Sequence, residues 1–132
     1  MRALFFGITL AAAATSIAAQ EQITPDDFLD LALGRTLSFS SIRSGMLVGE
    51  EQFLRRDLSV WADETGRCTY GRIEQRGPEI CFLYEDYPDP DNCWLPFLDQ
   101  GTILVMAVRT GEVQRISDIN DTPITCEGAP TS

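Results

Sequence analysis

The hydrophobic and polar residues downstream of Gly34 follow the two-residue period of β-strands. Short runs rich in β-branched and aromatic residues are separated by turn-forming residues every 6 to 12 positions. In the first run, Leu37 and Phe39 alternate with serines, as expected for a strand with one buried face. We predict eight strands, at residues 36–42, 46–54, 58–63, 67–75, 79–84, 93–97, 102–109 and 112–117.

Short turns join these strands, so neighbours in sequence should pair antiparallel. In the fifth strand Ile80, Phe82 and Tyr84 share one face, and the segment 102–108 is apolar at nearly every position. About eight short strands in meander order close into an up-and-down barrel or form one strongly curved sheet. The fold class predicted is therefore mainly β, with the barrel favoured.

One helix is predicted upstream of the strands. Thr24 is suited to the N-cap, Pro25 to the first helical turn and Gly34 to the C-terminal stop, while Asp26 and Asp27 favour the positive helix end. The apolar residues that follow give this helix a broad hydrophobic face. A helix this short is stable only when docked, so we expect it to cover one end or edge of the sheet.

The first residues resemble a secretory signal peptide. Arg2 precedes an apolar stretch over residues 3–14, and small residues follow up to Ala19. The stretch is shorter than the roughly 20 residues that span a membrane, so we expect cleavage near Ala19 and no membrane insertion of the mature chain. We expect residues 1–19 to be the signal and residues 20–132 to form a single β domain in the periplasm or outside the cell.

The charge of residues 20–132 limits the possible partners. This segment contains 9 arginines and 20 Asp and Glu residues, so its net charge is −11. Such a charge disfavours nucleic acid and anionic membranes as partners. The acidity either serves solubility or attracts a cationic partner. The chain contains no histidine, which excludes Ser-His-Asp and Cys-His catalysis and histidine-ligated metal sites. The sequence does not give the oligomeric state.

Four cysteines, Cys68, Cys81, Cys93 and Cys126, lie in the predicted domain. Their separations of 13, 12 and 33 residues contain no C-x-x-C metal motif, so two disulfides are expected. Three connectivities are possible. A Cys81–Cys93 bridge would join the two strands that flank an acidic loop and leave Cys126 to tie the C-terminal tail to Cys68.

Four short segments, distributed over most of residues 20–132, form a recognisable set: Leu33-Gly34-Arg35-Thr36, Gly66-Arg67-Cys68-Thr69-Tyr70-Gly71, Ile80-Cys81-Phe82-x-Tyr84 and Cys93-Trp94. Together they resemble the pattern of a group of small exported proteobacterial proteins of unknown function. That group combines a leading Gly-[Lys/Arg]-Thr, a central Gly-x-Trp strand and a Cys…Cys-aromatic hairpin. Ile73 stands where the group has the central tryptophan. The resemblance implies a lipocalin-like or calycin-like β domain in the envelope and no particular activity.

The acidic loop 85–92 is a candidate metal site. Asp89, Asp91 and Asn92 carry oxygen ligands at a spacing that suits a hard cation such as calcium. The loop lacks the glycine and distal glutamate of an EF-hand, and Asp, Asn and Pro are ordinary turn residues. A structural loop is therefore the favoured interpretation, and no metal site is predicted.

Two pairs of carboxylates are candidates for acid–base chemistry, Asp63 with Glu64 and Glu85 with Asp86. Adjacent residues on a strand point to opposite faces, so neither pair converges on one substrate unless the geometry of the loops brings the two carboxylates together. We therefore predict no catalytic residues, no cofactor and no enzymatic activity.

Five aromatic residues in the predicted strands either line a ligand cavity or fill the barrel core: Trp61, Tyr70, Phe82, Tyr84 and Trp94. For a domain of 113 residues the filled core is favoured. The function predicted is a non-enzymatic binding module that holds a protein or a small apolar ligand through one barrel end and its acidic loop. The alternatives are an inhibitor of a basic secreted enzyme and a small carboxylate-dependent hydrolase.

Overall fold

The computed structural model describes residues 20–127. The signal peptide predicted over residues 1–19 lies outside the described residues. Within the described part, no helix has the length and apolar character needed to cross a membrane.

The described residues form one helix and nine strands in a mainly β architecture. In chain order the elements are β1 (Glu21–Gln22), α1 (Pro25–Ala32), β2 (Thr36–Ser41), β3 (Leu47–Arg55), β4 (Leu58–Asp63), β5 (Cys68–Arg76), β6 (Glu79–Tyr84), β7 (Cys93–Asp99), β8 (Thr102–Ala107) and β9 (Val113–Asn120). The eight predicted strands and the predicted helix are all present, with ends that differ by a few residues.

Strands β2 to β9 close into an eight-stranded antiparallel barrel in meander order. Each strand pairs with the next, and β9 returns to β2, where Phe39 lies opposite Ile116. This closure confirms the predicted up-and-down barrel and leaves no open edge between the first and last barrel strands.

The short strand β1 was not predicted. Strand β6 reaches only the start of β7, where Ile80 pairs with Trp94. Further along β7 the vacant edge is taken by β1, where Gln22 pairs with Phe97. The Ile23 N–H then donates to the Pro96 carbonyl at 3.0 Å. The N-terminal segment therefore completes the barrel wall where β6 ends.

Helix α1 begins as predicted and closes one end of the barrel. The Thr24 hydroxyl accepts a hydrogen bond from the Asp27 N–H at 3.2 Å, and Pro25 occupies the first turn. Phe28 is buried and packs edge-to-face on Phe53 of β3, with ring centroids 6.0 Å apart. The helix is thus a plug that seals the barrel on the side of the β3–β4 turn.

Ion pairs hold the outer side of the helix to that turn. Arg56 contacts the carboxylates of Asp26, at 2.9 Å, and Asp30. The opposite end of the barrel carries the β2–β3, β4–β5, β6–β7 and β8–β9 loops, because the strands alternate in direction. We call this the open end.

Side chains alternate between the barrel interior and its outer surface. In the β3–β4 register, Glu51 lies opposite Trp61 and Phe53 opposite Ser59, and these four residues face inward. The buried core combines inward residues of the barrel with the buried face of the helix: Phe28, Leu29, Ala32, Leu37, Phe39, Phe53, Ile73, Ile80, Phe82, Val105 and Ile116.

Both disulfides form, and their pairing is Cys68–Cys126 and Cys81–Cys93. Of the three connectivities open to the sequence, this is the one in which one bridge joins the strands that flank the acidic loop. The other bridge pins the C-terminal segment to β5. Ile124 in that segment also donates its N–H to the side-chain oxygen of Gln52 at 3.0 Å, which places the segment along the outside of the barrel.

Candidate ligand-binding cavity

The barrel interior contains a cavity of about 370 Å³. It extends from Phe28 of the helical plug to Tyr87 and Asn92 of the β6–β7 loop at the open end. Small-molecule sites in proteins occupy roughly 300–1,000 Å³, so this space is large enough for a small ligand. The prediction of a filled core is therefore wrong.

Two glycines explain why the side chains leave this space. A Cβ atom on Gly71 would lie 2.7 Å from the ring of Tyr84, and one on Gly49 would collide with the ring of Trp61. Both rings therefore lie close against bare backbone on the barrel wall, in space that a Cβ atom would otherwise occupy. An eight-stranded barrel built in this way keeps room for one small ligand.

Nearly half of the residues that line the cavity are aromatic. Seven aromatic residues line it: Phe28, Phe39, Trp61, Phe82, Tyr84, Tyr87 and Trp94. Four of the five aromatic residues predicted for a cavity or core are among them. The fifth, Tyr70, lies on the outer face of β5 and is 50% exposed, so its assignment to the interior is wrong. Gly71 and Ile73 take the inward positions of β5, so Tyr70 between the inward residues points outward.

A buried carboxyl group lies in this aromatic wall. Glu51 is 2% exposed, and its Oε2 accepts a hydrogen bond from the Tyr84 hydroxyl at 2.7 Å. Its Oε1 and the hydroxyl oxygen of Ser59 are both buried and have no hydrogen-bond partner among residues 20–127. Burial raises the pKa of Glu51 to about 7, although the nearby hydroxyl groups of Ser59 and Tyr84 act to lower it.

The ring of Tyr84 is fixed by its neighbours. It stacks on Phe82 with centroids 6.0 Å apart and an interplanar angle of 12°, and Trp61 lies 6.5 Å away on another side. Burial, together with the adjacent Glu51, raises the pKa of Tyr84 well above its usual value. The phenol therefore remains protonated and acts as a hydrogen-bond donor to the carboxyl group.

The acidic β6–β7 loop is braced by an arginine from the β8–β9 loop. Arg109 contacts Asp89 at 2.9 Å and Asp91 at 2.9 Å. The backbone N–H of Asp91 and the Arg109 guanidinium hold the pKa of Asp89 below its usual range. The Asn92 side-chain oxygen accepts from the Trp94 indole N–H at 2.9 Å. Each side chain considered for calcium thus has a partner within the protein, which favours the structural-loop interpretation.

The two predicted carboxylate pairs do not face the barrel cavity. The Asp63 carboxylate accepts hydrogen bonds from the Thr65 hydroxyl at 2.6 Å and N–H at 2.9 Å, and from the Arg67 N–H at 3.1 Å. These bonds lower the pKa of Asp63. Asp63 therefore stabilises its own turn. Asp63 and Asp86 also border a separate depression of about 520 Å³ next to the open end.

One further group of metal-ligating atoms occurs among the described residues. Ligand atoms of Glu79, Cys81 and Cys93 lie within 4.8 Å of one another. The two sulfur atoms are bonded to each other in a disulfide, so they do not offer thiolates to a metal ion.

Exposed apolar side chains occur on the loops at the open end. Ile42, Met46 and Leu47 come from the β2–β3 connection, Tyr87 from the β6–β7 loop and Val108 from the β8–β9 loop, and each is between 43% and 71% exposed. The open end is therefore more apolar than its acidic loop suggests.

Sequence reasoning missed Glu51, although a signal for it was present. Phe53 is the apolar residue of β3 that faces inward, and counting back by two from Phe53 reaches Glu51 and then Gly49. The isolated Gly71 within a predicted strand was also a sign of close packing against backbone. Searches against models of protein families, curated proteins and solved structures found no match to this chain.

Proposed function

We propose that this protein is an exported, disulfide-bonded, non-enzymatic β domain that binds a small, largely apolar ligand inside its barrel. The observation that carries the proposal is the cavity of about 370 Å³, walled by aromatic side chains and reaching the open end. Sites for small molecules typically combine an apolar lining with a few fixed polar groups. The Glu51–Tyr84 pair and Gln114 supply those polar groups here.

Export is supported by two independent features. Two disulfides in a domain of this size are typical of oxidising compartments, and the sequence of residues 1–19 resembles a signal peptide. A barrel of this type also agrees with the calycin-like domain that the sequence motifs suggested. We therefore propose the periplasm or the outside of the cell as the location of the mature protein.

The two alternative functions receive less support from the geometry. A carboxylate-dependent hydrolase needs two carboxyl groups that converge on a substrate. Asp63 and Asp86 border one depression, but the Asp63 carboxylate is occupied by hydrogen bonds of its own turn. An inhibitor of a basic enzyme is compatible with the small size, the disulfides and the negative charge of the chain, but none of these features identifies an enzyme-binding surface. The size of the cavity, in contrast, directly supports the binding of a small molecule.

The proposal is tested by titrating 1-octanol, a small neutral apolar probe, into the purified mature protein. The two tryptophans of the chain, Trp61 and Trp94, both line the cavity, so their fluorescence reports occupancy. We expect a saturable change in tryptophan emission.

Matched variants of strand β8 locate the binding. Val105 faces the cavity and Met106, its neighbour, faces outward. Val105→Phe should narrow the cavity and weaken octanol binding, whereas Met106→Phe should not. A non-saturable response, or equal binding by the two folded variants, would contradict the proposal.

A further inference from the structure

We infer that the ligand of this cavity is an organic cation, an apolar molecule that places a positively charged amine beside Glu51. The inference rests on the proposed function and narrows the ligand to one chemical class. Three features of the cavity support it: the sign of its charged groups, the unpaired atom of Glu51 and the rings that flank this carboxyl group.

The charged residues that line the cavity are both acidic. They are Glu51 and Asp89, and no arginine is among the described residues of the lining. Asp89 is already neutralised by Arg109, whereas Glu51 has no cationic partner among residues 20–127. Glu51 is therefore the position where a ligand charge would have the largest effect.

Glu51 also has unused hydrogen-bonding capacity. Its Oε2 is occupied by Tyr84, and its buried Oε1 makes no hydrogen bond of normal geometry in the described part of the chain. The Ser59 hydroxyl lies close enough to lower the pKa of Glu51 but is neutral, so it leaves the carboxylate without a positive charge beside it. A buried acceptor without a partner is unfavourable, and a charge-assisted hydrogen bond from an ammonium group is one of the stronger ways to satisfy it. An amine donates such a bond and also supplies the missing positive charge.

Aromatic rings flank this carboxyl group. Trp61 lies directly opposite Glu51 in the β3–β4 register, and Tyr84 bonds to it. Phe39 continues the aromatic wall, 6.0 Å from Trp61. The faces of such rings attract cations, so the same wall that binds the apolar part of a ligand also favours an ammonium group.

The same features disfavour an anionic ligand. A carboxylate such as that of a fatty acid would enter a cavity with no basic residue in its described lining and would meet Glu51. The net charge of −11 over residues 20–132 also repels anions and attracts cations at longer range.

The test compares three probes of equal length that differ in charge: octylammonium, 1-octanol and octanoate. Dissociation constants are measured by calorimetry and tryptophan fluorescence at pH 7.5. We expect octylammonium to bind about tenfold more tightly than octanol and octanoate to bind more weakly than octanol.

Variants then identify the group responsible. In Glu51→Gln the ratio of the octanol to the octylammonium dissociation constant should fall close to one. Glu50→Gln removes the same formal charge from the outward face of the same strand, and it should keep the ratio of the unaltered protein.

The outcomes separate this inference from the proposed function. If neither octanol nor octylammonium binds, the cavity does not act as a ligand site and both proposals are wrong. If octanol binds but octylammonium has no advantage, only the cation inference is overturned. A ratio that survives in Glu51→Gln, or that falls equally in both variants, would show that net charge and not Glu51 selects the ligand.

Discussion

Replacing Glu51 with glutamine should stabilise the ligand-free protein at neutral and alkaline pH and have little effect near pH 4.5. Glutamine has nearly the same shape, and its side-chain oxygen still accepts the hydrogen bond from Tyr84. Its amide group additionally offers a donor to the buried Ser59 oxygen, which has no partner among the described residues. The main difference is that glutamine cannot ionise.

The expected magnitude follows from the raised pKa of Glu51. Burial moves this pKa from 4.5 to about 7 in the folded protein, while the unfolded chain keeps the lower value. Between these two values the folded state holds a proton that the unfolded state has lost, so stability falls as the pH rises. A difference of one pKa unit corresponds to about 1.4 kcal/mol, so Glu51 should lower the free energy of unfolding by about 3 kcal/mol above pH 7.

The assay is urea denaturation of the protein and its variants at a series of pH values from 4.5 to 8.5. Other carboxyl groups change stability in the opposite direction: the pKa values of Asp63, Glu74 and Asp89 are lowered, so their contributions are lost as the pH falls. These groups are present in both proteins, so they cancel in the difference between Glu51→Gln and the unaltered chain.

The control is Glu50→Gln. Glu50 lies on the outer face of β3, and its carboxyl group accepts a hydrogen bond from Ser38 of β2. The stability of this variant relative to the unaltered protein should not acquire the same dependence on pH. The reasoning is refuted if Glu51→Gln and the unaltered protein show parallel stability curves from pH 4.5 to 8.5. It is equally refuted if Glu50→Gln reproduces the effect.

Three further predictions concern the framework of the cavity. Replacing Cys68 and Cys126 together with serine opens a bridge of sequence separation 58 and should lower the free energy of unfolding by about 4 kcal/mol, as measured by urea denaturation. Gly71→Ala should cost about 1–3 kcal/mol, because the new methyl group meets the Tyr84 ring at 2.7 Å; the same change should cost less in a Tyr84→Ala background. Arg109→Ala should leave the barrel folded but accelerate amide hydrogen exchange in the β6–β7 loop that it braces.

The overall fold could be predicted because local signals and long-range pairing agree. Thr24 and Pro25 mark the helix start in the sequence, and the structure uses both in these positions. The alternation of Leu37 and Phe39 with serines predicts the inward face of β2, and both residues are buried there. It does not predict that Ser38 and Ser40 on the other face are buried as well, where they hydrogen-bond to Glu50 and Ser117. Strand β1 has only two residues, too few for any periodicity, and exists because β6 leaves part of the edge of β7 vacant.

The candidate site was harder to predict because its important residues contradict the usual signals. Glu51 lies in the polar run Gly49-Glu50-Glu51-Gln52, which favours solvent on both faces. Tyr70 is aromatic and yet lies outside the barrel, because Gly71 and Ile73 take the inward positions. Aromatic rings lie along the wall of a barrel where they pack over a glycine of a neighbouring strand. Which ring meets which glycine depends on the pairing of the strands, and this pairing cannot be read from the sequence.

The position of Glu51 links the stability of this domain to its proposed function. A buried carboxyl group without a cationic partner lowers stability, and an apolar residue of similar volume would generally be the more stable choice. Groups that reduce stability in this way are concentrated at functional sites. A cationic ligand would supply the missing partner and, by binding only the folded state, would stabilise the protein. The lower stability expected above pH 7 without ligand and the preference expected for amines therefore have one cause, a buried carboxyl group with no cationic partner among residues 20–127.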